Sequence, residues 1–306
     1  MKRLMLPVLL ILVLTLSACG AKPQNNADKG NASDSKQPAT ITYQSESGPV
    51  EVPANPQRVI VLSTFAGNVM ALNVNLVGVD SWSKKNSRFD KLKDVQEVSD
   101  ESLEKIIELK PDLIIGLSNI KNADKLKQIA PTVTFTYGKV DYLTQHLEIG
   151  KLLNKEKEAK AWVDDFKKRA AKAGDDIKAK IGADKTISVI ESFDKQLYVF
   201  GDNWGRGTEI LYQEMKLKMP DKVKEMALKD GYYALSAEVL PQYAGDYVIF
   251  SKNPDADNAF QQTETYKNIP AVKNGHVYEA NAKEFYFNDP LTLNYQLDFF
   301  IQHLGK

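Results

Sequence analysis

The sequence has 306 residues, 43% of them hydrophobic and 26% charged, with 40 basic residues set against 40 acidic ones. That balance provides no global positive field for nucleic acid. The single cysteine, Cys19, excludes an intramolecular disulfide and any multi-cysteine metal site, so the fold must be held by its core alone.

In chain order, Lys2 and Arg3 precede an almost unbroken apolar run from Leu6 to Leu16 and then Ser17-Ala18-Cys19. A basic start, a short apolar core and small residues describe an export signal over residues 1–18. The run is too short to cross a bilayer, which takes roughly 20 apolar residues. Leu16-Ser17-Ala18-Cys19 resembles a bacterial lipobox. That likeness implies cleavage before Cys19, a lipid on its thiol, and a chain tethered to the extracytoplasmic face of the cell membrane. Residues 19–40 are polar and carry hardly any large apolar side chain, so they read as a disordered tether.

Folded structure is expected from Ile41, in an N-terminal α/β lobe over residues 41–153. Ile41 to Val52 alternates like a hairpin, with Ser47-Gly48 as its turn. Arg58 to Leu62, Leu76 to Val79 and Thr132 to Phe135 are short buried-strand runs alternating with helix-compatible segments, the pattern of a mainly parallel sheet. Residues 154–183 place Ala159, Trp162, Val163, Phe166 and Ala170 on one helical face. A helix of that length reaches about 40 Å and joins two lobes stiffly, with Gly174 as a candidate soft point. The second lobe, 184–306, opens on the strand Ile187 to Ile190. Ser102-Leu103-Glu104 before Pro111-Asp112-Leu113-Ile114-Ile115 recurs 134 positions later as Ser236-Ala237-Glu238 before Gly245-Asp246-Tyr247-Val248-Ile249. In each copy a serine is expected to cap a short helix leading through an aspartate into a buried strand, which predicts two lobes of similar build.

The strongest local signal is Tyr198-Val199-Phe200-Gly201-Asp202-Asn203-Trp204-Gly205-Arg206-Gly207, followed by a helix from about Thr208. Three glycines within seven residues let a ligand approach the backbone closely. Trp204 offers a broad apolar face and Arg206 a fork of donors, which suits a bulky ligand with clustered anionic oxygens. Packing of Trp204 in the core with Arg206 in solvent is the competing reading. The loop lacks the Lys-Ser/Thr ending of a nucleotide loop. Three adjacent aromatics, Phe285-Tyr286-Phe287, cannot all face one core, and Asn288-Asp289-Pro290 marks a turn before the last helix. Tyr137 follows the Thr132–Phe135 strand, and Tyr142 reads as an anchor of the next helix. These segments are expected after strand ends, where open α/β sheets form ligand crevices. His146, His276 and His303 lack metal-ligand spacing, and no nucleophile–base pair is evident, so the chain reads as a binding module and not an enzyme.

Together RVIVL with STFAG, LEKIIELKPDLII, IAPTV with Tyr137, LYVFGDNWGRG and FNDP resemble the lipoprotein substrate-binding proteins of ABC importers for iron–siderophores, in the ferric hydroxamate (FhuD-like, ferrichrome and ferrioxamine) group. The resemblance runs from about Ile41 to the C-terminus. It implies a class III periplasmic-binding-protein-like fold, α/β, with two Rossmann-like lobes joined by one long rigid helix. Iron(III) arrives already chelated by hydroxamates, so no protein cofactor or metal ligand is implied. Arg206 would donate to the hydroxamate oxygens, and Trp204, Tyr198, Tyr137 and Tyr286 would form an aromatic wall. Relatives often carry a Trp where this chain has Phe285-Tyr286-Phe287. Glu104 and Glu238 match the acidic residues that dock on an ABC permease. A monomer is implied, because both lobe tips meet one importer. The same fold binding haem, a catecholate siderophore or a corrinoid is an alternative, and a surface-anchored hydrolase is one of another class.

Overall fold

The computed structural model describes residues 39–306. The export signal, Cys19 and all but the end of the tether lie outside the described residues. The first element is a hairpin of β1 (Thr40–Ser45) and β2 (Gly48–Pro53). Ser45 pairs with Gly48, so the turn is Glu46-Ser47, one residue earlier than expected. The Ser45 hydroxyl accepts from the Ser47 N–H (3.2 Å) and donates to the Gly48 carbonyl (2.6 Å), which closes the chain at that point.

The first lobe then alternates strand and helix: β3 (Val59–Val61), α1 (Ala66–Ala71), β4 (Leu76–Val79), α2 (Ser81–Lys85), β5 (Gln96–Glu97), α3 (Leu103–Glu108), β6 (Leu113–Leu117), α4 (Ala123–Lys127) and β7 (Thr132–Phe135). The strands form a parallel sheet in the order β5-β4-β3-β6-β7. Val59, Ile60 and Val61 in β3 and Leu113, Ile114 and Ile115 in β6 are fully buried. Central parallel strands read as continuous apolar runs because helices cover both faces.

Next come α5 (Tyr142–Leu152) and the long α6 (Glu156–Ile181). At 26 residues α6 spans about 40 Å, buries Ala159, Val163, Phe166, Ala170, Ala173 and Ile177, and runs unbroken through Gly174. Gly174 is therefore no soft point. Its missing side chain admits the backbone of Met215, whose Cα would lie 2.6 Å from an added Cβ.

In the second lobe, β8 (Ile187–Phe193) turns back into β9 (Gln196–Phe200). A helical segment with wide, π-type hydrogen bonding follows at Glu209–Glu214, where the Met215 N–H reaches the Ile210 carbonyl (2.8 Å). Then come α7 (Asp221–Ala227), β10 (Tyr232–Leu235), β11 (Tyr247–Lys252), α8 (Glu264–Lys267), α9 (Pro270–Lys273), β12 (Val277–Asn281), α10 (Ala282–Phe285) and α11 (Pro290–Leu304). The sheet order is β10-β9-β8-β11-β12, with β8, β11 and β12 parallel and β9 antiparallel to both its neighbours.

The internal match is structural. β6 and β11 hold the same rank beside the first central strand of their sheets. Asp112 accepts from the N–H groups of Gln57 (2.6 Å) and Arg58 (2.9 Å), just before β3. Asp246 accepts from the Thr186 N–H (2.9 Å) and Lys185 Nζ (2.8 Å), just before β8. Each aspartate thus ties the entry of one strand to the entry of its neighbour. The expected serine caps do not form. Ser102 makes no cap bond to α3, because its hydroxyl is engaged with Ser99, and Ser236 precedes a turn and a short 3-10 segment (Leu240–Gln242) in place of a helix.

Besides α6, the segment before α11 crosses between the lobes. Phe287 is buried in the first lobe's core, its ring stacked on Phe89 at 5.9 Å. Asp289, also buried, caps α11 through the Leu291 and Thr292 N–H groups and lies against α1 at Gly67.

Candidate functional site

The Gly-rich loop leaves β9 and folds back toward the end of β8. Because β9 runs antiparallel, this loop does not follow the C-terminal end of a parallel strand as the other candidate segments do. Trp204, Gly205, Arg206 and Gly207 all take left-handed φ, at 78°, 75°, 59° and 80°. For Trp and Arg that conformation costs roughly 1–3 kcal/mol each and needs surrounding structure to impose it. The surroundings do so. The Arg206 N–H donates to the Phe285 carbonyl (2.8 Å), and the Gly205 N–H donates to Glu209 Oε1 (2.8 Å). The Thr208 hydroxyl closes the loop onto the carbonyls of Asn203 (3.0 Å) and Gly205 (2.8 Å). At Gly205 a side chain would also strike the Tyr286 carbonyl.

Arg206 is held by Glu191 through paired bonds, Nε to Oε2 at 3.0 Å and a terminal nitrogen to Oε1 at 2.8 Å. Glu191 is itself buried in β8, and Ser251 Oγ donates to it at 2.7 Å. The other terminal nitrogen of Arg206 donates to the Trp204 carbonyl at 2.9 Å. A guanidinium has five N–H donors. These three bonds leave two uncommitted, on a side chain that keeps 16% of its surface exposed. Its carbon centre lies 4.8 Å from the ring centres of both Phe200 and Tyr286, so the cation is sandwiched between aromatic faces.

Around this arginine the predicted residues gather. Tyr137, from the first lobe, meets Trp204 across the cleft with ring centres 5.4 Å apart. Tyr286 is the half-exposed member of its trio, since Phe285 and Phe287 are buried. Tyr198 joins through Tyr232, which lies 5.9 Å from Tyr198 and 5.8 Å from Trp204. A cavity of about 910 Å³ opens beside the Tyr137–Trp204 pair, lined by Asn68, Gln145, Asp202 and Asn288 among others. Tyr142, read as an anchor of the next helix, is buried at the start of α5, where it lines this cavity and donates to Glu214 of the second lobe (3.0 Å). Glu104 on α3 and Glu238 after β10 are both exposed, and neither forms an ion pair among the described residues.

Electrostatics leave the tyrosines as neutral donors. Burial pushes the Tyr137 phenol up to about 12, with Glu209 adding to the rise and Arg206 opposing it. Tyr286 is likewise pushed up to about 12 by burial and by Glu191, again against Arg206. Burial raises the Glu209 carboxyl too, although the N–H of Gly205 and the Asn288 amide stabilise its charge. Among the described residues no three His, Cys, Asp or Glu side chains gather in a metal-binding group.

Three contributors were not predicted. Trp82 is 47% exposed, stacks on Phe193 at 6.0 Å and meets Tyr286 edge-on at 5.3 Å. Its signal was an aromatic just after a strand end, fixed by Asp80, which caps α2 through the Trp82 and Ser83 N–H groups (3.0 Å each). Tyr232 follows Gly231 at the head of β10. Glu191 was visible as an acid ending an apolar strand run.

Residues 61–284 match the family model described as periplasmic binding protein. The chain is 39% identical to the iron(3+)-hydroxamate-binding protein FhuD of Bacillus subtilis (strain 168), over 97% of this chain and 96% of that one. It is similar to the structure of FhuD2 from Staphylococcus aureus with bound ferrioxamine B (37% identity, TM-score 0.78, 82% of this chain and 98% of that one). It is similar also to a FhuD fold-family component of a Fep/Fec-like ferrichrome ABC transporter from Bacillus subtilis (36% identity, TM-score 0.79, 86% and 100%). With its two sheets, its interlobe cleft and these relatives, the chain belongs to the periplasmic binding protein family, alongside FhuD-like members.

Proposed function

We propose that this protein captures iron(III)-hydroxamate siderophores outside the cytoplasm and delivers them to the permease of an ABC importer. The observation that carries the reading is the Arg206 guanidinium, held in place by Glu191 with two N–H donors free and aromatic faces around it. A ferric tris-hydroxamate presents oxygens of partial negative charge set in a carbon shell, and it needs no metal ligand from the protein. Charge-assisted donors meet the oxygens. Trp204, Trp82, Tyr137, Tyr286 and Tyr198 meet the shell, with the neutral phenols as further donors. The relatives named above as hydroxamate-binding and as bound to ferrioxamine B support the same ligand class.

Delivery completes the reading. Cys19 carries the lipid that tethers the chain to the extracytoplasmic face of the membrane, and the folded domain acts as a monomer. Glu104 and Glu238 dock on the permease, one from each lobe.

The test is tryptophan fluorescence of the mature domain titrated with ferrichrome and ferrioxamine B. Trp204 and Trp82 are 42% and 47% exposed in the cleft and report binding, whereas Trp162 stacks on Phe166 in α6 and gives background. Saturable quenching, lost in part in Trp204→Phe and Trp82→Phe, is expected. Absence of quenching by both complexes would sink the ligand assignment. Glu104→Ala with Glu238→Ala is expected to leave the titration unchanged while lowering iron uptake by cells.

A further inference from the structure

Resting on that reading, we propose that Glu191 cancels the charge of Arg206 and so makes the binding face select neutral iron(III) chelates over anionic ones. An arginine facing bound oxygens would by itself attract any anionic iron complex. Here its charge is met at contact distance by a buried carboxylate, through two bonds of 3.0 and 2.8 Å, and Ser251 holds that carboxylate in place. The pair keeps the directional donors of a guanidinium while contributing almost no net charge.

The neighbouring groups add no free positive excess. Glu209 is the other ionisable acid buried against the loop, and it lies on the Tyr137 side. In the adjoining cavity Lys139, Lys167 and Lys216 are offset by Asp141, Asp202 and Glu214. Lys139 is in addition paired with Glu46 (3.2 Å), and at the rim by Tyr286 Lys283 is paired with Asp255 (2.6 Å) and Arg88 with Glu284 (3.7 Å). Iron(III) with three hydroxamate monoanions is neutral, whereas iron(III) with three catecholate dianions is trianionic. A face with donors but no net charge meets the first complex without cost and leaves the second, stripped of water, uncompensated.

The experiment measures the ratio of dissociation constants for ferric enterobactin, a trianionic tris-catecholate, and ferrichrome, by fluorescence quenching. Comparing this ratio between variants cancels the difference in ligand shape. In Glu191→Gln the exposed positive charge is expected to lower the ratio at least about tenfold. Glu191→Asp, which keeps the charge but shortens the reach, is expected to weaken ferrichrome binding while leaving the ratio within about threefold of the wild type. The double variant Glu191→Gln with Arg206→Gln removes both charges and leaves no buried ion unpaired, so it stays testable if the single variant fails to fold. It is expected to bind ferrichrome more weakly at the wild-type ratio, whereas an uncancelled arginine would make the ratio rise on its removal. An unchanged ratio in folded Glu191→Gln, a raised ratio in the double variant, or wild-type binding of ferric enterobactin within tenfold of ferrichrome would overturn the inference. If the wild type binds neither ferrichrome nor ferrioxamine B, the proposed function itself fails and this inference falls with it.

Discussion

Arg206 does two jobs, and its replacement separates them. Two of its donors stay uncommitted, while its paired donors keep Glu191 from being a lone buried charge. Arg206→Lys keeps a charge for Glu191 but loses the fork, so ferrichrome affinity is expected to fall about 10- to 100-fold, the equivalent of a charge-assisted bond. Arg206→Ala should lose that affinity and in addition about 3–5 kcal/mol of stability, because Glu191 is then buried without a partner. Urea denaturation beside ligand titration reads both, and equal stability of the two variants would refute the coupling. His146 makes a second residue-scale prediction. Burial pushes its imidazole down to about 4 from 6.5, with Nδ1 bonded to Asn68 Oδ1 at 3.0 Å. Between those pH values the unfolded chain takes up the proton and the folded chain does not. The folded state therefore loses stability as pH falls from about 6.5 to about 4, by something on the order of 3 kcal/mol in full. In His146→Gln that part of the acid sensitivity should vanish, leaving the slopes from other groups in place. Urea midpoints of both proteins across this pH range provide the check. The arginine was legible in the sequence, since few residues combine a fork of donors with flanking glycines. Its partner was not, because Glu191 lies fifteen positions away in a strand that offered no reason to pair with the loop.

At the scale of elements, regular periodicity was legible and close approach was not. The helix over 156–181 follows from apolar residues at helical spacing, and the buried runs of β3, β6 and β8 follow from their clustered β-branched and leucine residues. The reversal of β9 was harder to see. Only Asp194-Lys195 separates the two strands, and Asp194 takes a left-handed φ of 52° that lets them pair antiparallel. That two-residue gap was a hairpin signal hidden by the expectation of a parallel lobe. Gly174 is the sharpest case. Helix propensity alone predicts that Gly174→Ala stabilises α6 by about 1 kcal/mol. The added methyl would instead collide with the Met215 backbone, which cannot rotate away as a side chain can. The expected outcome is a loss of about 1–3 kcal/mol, seen as a lower urea midpoint. A raised midpoint would mean that the helix and the Met215 turn separate easily. The reason for Gly174 lies 41 positions downstream, out of reach of any local pattern.

Across the whole molecule, α6 is not alone in holding the lobes together, and the packing of the segment before α11 changes what α6 has to do. A lone helix resists bending along its length but leaves the lobes free to rock about its ends. Phe287 and Asp289 remove much of that freedom, because a side chain of the second lobe is packed in the first lobe's core while α11 begins against α1. The cleft between Tyr137 and Trp204 is then set by packing on two sides, and ligand capture needs only small adjustments. Phe287→Ala tests this. Truncating a buried Phe costs about 3–5 kcal/mol wherever it sits, so stability loss by itself decides nothing. The informative comparison is with Phe250→Ala, a buried residue in the core of the second lobe alone. Spin labels on α4 and α7, one on each lobe, should give a narrow distance distribution that ferrichrome barely shifts in the wild type. Phe250→Ala should keep that distribution, and Phe287→Ala should broaden it at similar stability. A broadened cleft also requires the two walls to be brought together at each binding event, so Phe287→Ala should weaken ferrichrome although Phe287 is buried away from the cleft. Equal distributions in both variants would show that Phe287 does not set the angle between the lobes.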